Sequence, residues 1–75
     1  MLVVEDEQGL AEVLAENLVE EGYEVTVAGD GEEALSAWRR LSPDLVVLDV
    51  MLPQVDGFEV CRLRRAEGDT TPVLF

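Results

Sequence analysis

The chain has 75 residues, enough for one domain with a modest core. Its 17 Asp and Glu stand against 5 basic residues, all arginine, with no histidine, for a formal net charge of −12. That balance excludes a phosphate-neutralising nucleic-acid surface and any imidazole chemistry within these residues. Hydrophobic residues make up 48% of the chain, too many for a disordered segment. No apolar run approaches the roughly 20 residues of a membrane-spanning helix, and the first residues lack a signal peptide's basic start and apolar stretch. The expected compartment is the cytoplasm. The single Cys61 has no partner for an internal disulfide and reads as a small buried hydrophobe.

In chain order, Leu2-Val3-Val4 reads as a short strand buried on both faces, and it ends in three acids, Glu5-Asp6-Glu7. Gln8 to Glu21 has Leu10, Val13, Leu14 and Leu18 at helical spacing, with most of its glutamates on the other side and Gly22 as the stop. Glu5 to Glu7 precede the amino end of that helix, where negative charge is favoured. Tyr23 to Ala28 alternates apolar and polar, which predicts a half-exposed edge strand. Asp30 and Glu33 have the spacing of a capping box, and Ala34, Leu35, Trp38 and Leu41 mark a second amphipathic helix that Pro43 cannot continue. Trp38 is assigned to packing. Leu45 to Leu48 is a second all-apolar strand, and it too ends on an acid, Asp49. A loop from Val50 to Val55 follows. Asp56 and Glu59 then repeat the capping spacing ahead of a third helix that runs to about Glu67, with Arg62, Arg64 and Arg65 near its carboxyl end. After a loop at Gly68 to Pro72, Val73-Leu74-Phe75 begins a fourth strand.

Strands alternating with helices predict a parallel α/β sheet. The two all-apolar strands belong at its centre and the alternating strand at an edge, giving the spatial order 2-1-3-4. Right-handed crossovers then put the first helix on one face and the other two on the opposite face. The chain changes direction between strands 1 and 3, so Glu5, Asp6 and Asp49 converge at the carboxyl ends of adjacent strands, where open parallel sheets bind ligands. Three close carboxylates repel one another and call for a cation. Hard oxygen donors suit Mg2+, which brings phosphate groups with it, and a carbonyl near Met51 is placed to add a ligand. The competing reading is that such acids only cap helices or face solvent.

The segments LVVEDE, EEGYEV, DGEEAL, LVVLDVMLP, DGFEVCRLRR and TPVLF together resemble the amino-terminal part of a response-regulator receiver domain of bacterial two-component signalling, along essentially all 75 residues. The resemblance implies a flavodoxin-like, three-layer α/β fold of order 2-1-3-4, with residues 1–75 forming a single, partial receiver domain that stops before a fifth strand and two further helices. It implies a phosphoryl-accepting signalling domain rather than an enzyme. Asp49 would take the phosphoryl group from a sensor histidine kinase. Glu5, Asp6 and Asp49, with the backbone carbonyl of Met51, would hold Mg2+, and Pro53 and Gly57 would shape the following loop. A parent chain of this kind often carries a DNA-binding domain and regulates transcription.

Several departures bear on these expectations. Gln54 stands where the family commonly has glycine. Leu63-Arg64 reverses the usual basic-then-leucine order, an expected weakening of third-helix packing. The family's phosphoryl-contacting Ser or Thr and its Lys have no counterpart in these residues. Without the rest of the domain, apolar surface around Leu10 and Val13 and the edge of the fourth strand would be exposed, predicting marginal stability or a homodimer. The alternative function is a non-phosphorylated, receiver-like interaction or dimerisation module. A Mg2+-dependent hydrolase of similar topology is weaker, because such enzymes usually carry a second aspartate where this chain has Met51.

Overall fold

The computed structural model describes residues 1–49, 52 and 55–75, and among these described residues seven elements alternate, strand and helix. They are β1 (Leu2–Val4), α1 (Gln8–Glu20), β2 (Thr26–Ala28), α2 (Gly31–Leu41), β3 (Val46–Leu48), α3 (Gly57–Ala66) and β4 (Val73–Leu74). The four strands form one parallel sheet of order β2-β1-β3-β4. The all-apolar β1 and β3 are central, and the alternating β2 is an edge, as the burial demands of the two strand types require.

Each helix begins on a carboxylate. Glu7 caps α1, accepting from the Gly9 amide at 3.1 Å and the Leu10 amide at 2.7 Å. Asp30 caps α2 through the Glu33 amide at 2.7 Å, and Asp56 caps α3 through the Glu59 amide at 2.9 Å. The two expected capping boxes are only half formed. Glu33 reaches back past the cap to the Gly29 amide, one residue before Asp30, and Glu59 pairs instead with Arg62.

One face of the sheet packs against α2 and α3. Leu2, Val4, Ala28, Val46 and Leu48 form a continuous core there with Ala34, Ala37, Trp38 and Val60, closed over by Leu52. Trp38 is fully buried, which bears out its packing role. Val3 points to the opposite face by strand alternation and is also fully buried, under α1. The inward residue of α1 is Ala11, with Leu14 and Leu18 half-buried. Leu10 and Val13 are about half exposed, as expected for a face that α1 alone covers thinly.

Two expectations need correction. β2 starts at Thr26, not Tyr23, because the backbone of Gly22 and Tyr23 is taken up in ending α1. The Tyr23 amide donates to Leu18 O at 3.1 Å and the Gly22 amide to Val19 O at 2.9 Å, with Gly22 at φ +96°. This is the paired 6→1 and 5→2 pattern that a left-handed glycine permits. The carboxyl end of α3 is also anchored rather than weakened. Arg64 lies over the Trp38 ring, 5.7 Å from its centroid, and pairs with Glu67 at 2.6 Å and Asp69 at 2.9 Å. Arg65 donates to the carbonyls of Asp69 and Thr71, which ties the helix end to the start of β4.

Candidate acidic site at the carboxyl ends of β1 and β3

The sheet register builds the site. Val4 pairs with Leu48 on one side and Ala28 on the other, so the next residues, Glu5 and Asp49, emerge side by side. Their amides continue the ladder one step past the strands: Asp49 N donates to Val4 O and Glu5 N to Ala28 O, both at 3.0 Å. Both acids therefore hang from backbone that is already paired, before any side-chain contact is counted.

Glu5, Asp6 and Asp49 each direct a carboxylate oxygen into one cluster, with these atoms within 4.8 Å of one another. Glu5 and Asp49 are half-buried and Asp6 is exposed. Partial burial pushes the Glu5 carboxyl above its ordinary pKa, and the charges of Asp49 and Asp6 and a hydrogen bond shared with Asp49 push it further. The Glu7 amide, donating to Glu5 at 3.1 Å, opposes the shift without cancelling it. The ion pairs of Arg39, Arg62, Arg64 and Arg65 lie around α3 and its contact with α2. A small hard cation fits the donor set, being all carboxylate oxygen and open to water on the Asp6 side. Beside the cluster, a cleft of about 450 Å³ runs between α1 and the end of β2, lined in part by Glu5, Asp6, Gln8, Glu12 and Glu33.

The three acids that the strand pattern singled out are thus brought together. Met51, Pro53 and Gln54 lie outside the described residues. Gly57 is buried in the first turn of α3. Glu7, expected only as negative charge ahead of the helix, is the cap of α1; glutamate is not among the residues favoured at that position, so the sequence carries no signal for it.

A family profile described as "Response regulator receiver domain" matches residues 1–75, the whole length. The chain belongs to the response regulator receiver family. Among curated receiver-containing relatives, it is 49% identical over 74 residues to the alkaline phosphatase synthesis transcriptional regulatory protein PhoP of Bacillus subtilis, covering 99% of this chain and 31% of that protein. It is equally similar, at 49% over 74 residues, to the DNA-binding response regulator MtrA of Mycolicibacterium smegmatis, of which it covers 32%. The chain spans about a third of the length of these relatives. Among solved structures, the receiver domain of Francisella response regulator 1452 superposes with a TM-score of 0.93 at 35% identity, over 96% of this chain and 60% of that one. The response regulator TrrA of Thermotoga maritima, solved in complex with Mg2+-BeF, superposes with a TM-score of 0.86 at 43% identity, over 97% of this chain and 64% of that one. The receiver fold, with its flavodoxin-like order 2-1-3-4, is therefore the fold of this chain. None of the described helices is long and apolar enough to cross a membrane.

Proposed function

We propose that this chain is the phosphoacceptor receiver of a two-component response regulator, taking a phosphoryl group from a sensor histidine kinase onto Asp49. The convergence of Glu5, Asp6 and Asp49 within 4.8 Å at the carboxyl ends of the two central strands carries this reading. The family membership and the relative solved with Mg2+-BeF support it. Glu5, Asp6, Asp49 and the Met51 carbonyl are the proposed Mg2+ ligands, and the bound ion would neutralise charge between the carboxylates and the incoming phosphoryl oxygens.

In the proposed step an Asp49 carboxylate oxygen attacks phosphorus in line with the leaving group. The P–N bond of the kinase's phosphohistidine breaks, its electron pair returns to the imidazole nitrogen, and a mixed anhydride is left on Asp49. The paired backbone beneath Asp49 holds the nucleophile in place and Asp6 keeps the water-facing side open. Glu5 has to be ionised for the site to hold a cation, so its raised pKa ties cation binding to pH. The whole parent is proposed to act in the cytoplasm and, like the two curated relatives, on transcription through residues beyond this segment.

The test is incubation with Mg2+ and acetyl phosphate, read by intact mass, on this chain and on Asp49→Asn. One added phosphoryl group on the former and none on the latter is the expected result. A folded chain that binds Mg2+ but gains no mass would mean that the metal site stands and phosphoryl acceptance needs the family's Ser or Thr and Lys, which have no counterpart in these residues.

A further inference from the structure

Gly31, the first residue of α2, has ordinary helical backbone, so nothing about its φ calls for glycine. Helix propensity argues against it, since alanine in a helix is favoured by about 1 kcal/mol. The reason for glycine is space. A Cβ placed on Gly31 would lie 2.9 Å from Val55 Cβ, 3.1 Å from Val55 O and 3.2 Å from Val60 Cγ2. The first two are a branch-point carbon and a backbone oxygen, which cannot swing aside as the end of a long side chain can. The neighbouring Gly29 is different: its nearest neighbour would be Glu33 Oε2 at 3.8 Å, an ordinary contact with a movable atom.

One side of the Gly31 contact leads to the acidic cluster. Three residues upstream, Ala28 O accepts the Glu5 amide. On the other side, Val55 precedes Asp56, the cap of α3, and is six residues along the chain from Asp49. If the start of α2 yields to a methyl group, the backbone carrying Ala28 O shifts and the support of Glu5 is disturbed.

We propose that Gly31 is a positioning residue for the acidic site: its missing Cβ lets the start of α2 seat against Val55 and Val60, and that contact keeps Ala28 O in place for the Glu5 amide. The cation-binding aspect rests on the reading of the cluster given above.

Four forms of the chain test this: the natural sequence, Gly31→Ala, Gly29→Ala, and Gly31→Ala/Val55→Gly, in which the 2.9 Å contact is relieved. Mg2+ affinity is measured by calorimetry. Hydrogen exchange, followed by NMR without metal, compares the Glu5 amide with the Leu2 amide, which donates to Leu45 O at the far end of the same strand. Gly31→Ala is expected to weaken Mg2+ binding roughly tenfold or more, the usual scale for loss of support behind a ligand. It is also expected to speed exchange at Glu5 relative to Leu2. Gly29→Ala should stay within about twofold of the natural chain, and the double variant should recover affinity. Global destabilisation alone would speed both amides together, and that result would overturn the proposal. So would Gly31→Ala binding Mg2+ as the natural chain does, or a double variant that folds but recovers nothing. If neither variant folds, Gly31 is a folding residue and the proposal fails. If the natural chain binds no Mg2+, the cation reading fails, and the exchange ratio still judges Gly31 independently.

Discussion

Under the proposed function, Glu5 is the residue where cation binding and stability pull in opposite directions. Its carboxyl is raised above the ordinary value first by partial burial and then by Asp49 and Asp6, so ionising it costs the metal-free fold. For an acid shifted upward, the folded state binds the proton more tightly than the unfolded state does. The metal-free chain should therefore gain stability from this group as pH falls through the raised pKa toward the ordinary carboxylate range, and lose that gain above it. Mg2+ binding carries the opposite dependence, weakening over the same window because the proton competes for the site. Glu5→Gln removes the charge and should raise the melting temperature of the metal-free chain at pH 7. It should also lower Mg2+ affinity by more than tenfold, since one unit charge at about 4 Å from a cation is worth several kcal/mol even at an effective dielectric near 20. Thermal melts with and without Mg2+ check both signs. A variant that melts lower without metal would contradict the repulsion argument. Glu5 and Asp49 were legible in the sequence because an acid directly after an all-apolar run can only sit at a strand end. Their mutual distance was not, because it depends on which strands pair and in what register.

The elements show how far local pattern reaches. Three helices and two of their carboxylate caps, Asp30 and Asp56, follow from spacing and from side chains that satisfy the first amides of a helix. The far end of α3 does not. Three arginines in its last turns look equivalent in sequence, yet Arg62 makes an exposed pair with Glu59, while Arg64 is largely buried against Trp38 and bridges Glu67 and Asp69. Arg64→Ala should cost about 2 kcal/mol, the scale of losing charge-assisted hydrogen bonds together with a ring contact. Arg62→Ala should leave the melting temperature unchanged, because exposed pairs contribute little. Denaturant unfolding of the two variants decides it, and equal effects would mean that the Trp38 contact adds nothing. Acid tests the same anchor. Burial would raise the Asp69 carboxyl, but the Thr71 amide and Arg64 outweigh it and hold it below its ordinary value. Its stabilising contribution is complete above that ordinary value and is lost as pH falls through the lowered one, the reverse of Glu5.

At the scale of the whole molecule, the two faces of the sheet are unequally covered. The side under α2 and α3 holds the continuous core, whereas α1 alone leaves Leu10, Val13 and Val27 in contact with solvent. β4 is an edge strand, with Leu74 60% exposed and the exposed Phe75 ring tilted against Phe58, centroids 4.9 Å apart. An apolar edge of this kind invites pairing with a second chain. The net charge of −12 opposes it, by repulsion that salt screens within a Debye length of about 10 Å at 0.1 M. These 75 residues should therefore self-associate increasingly as salt rises, and Leu74→Lys should suppress the effect. Sedimentation velocity across a salt series checks this; a monomer at all salt concentrations would remove the edge from consideration.

The order of elements, the central place of β1 and β3, and the acids at their carboxyl ends were determined by sequence alone, because burial on both faces and strand-end chemistry are written in runs of a few residues. Three features were decided only in the folded structure. The start of β2 gave way to the glycine-terminated end of α1. Arg64 became part of the packing because Trp38 lies beneath it. Gly31, unremarkable in a helix-start pattern, became a point of close approach because Val55 and Val60 meet it from a segment some 25 residues away in the chain. The first is a local competition between residues at most five apart; the other two depend on contacts between residues far apart in the chain, which form only when the sheet register and helix positions are set together.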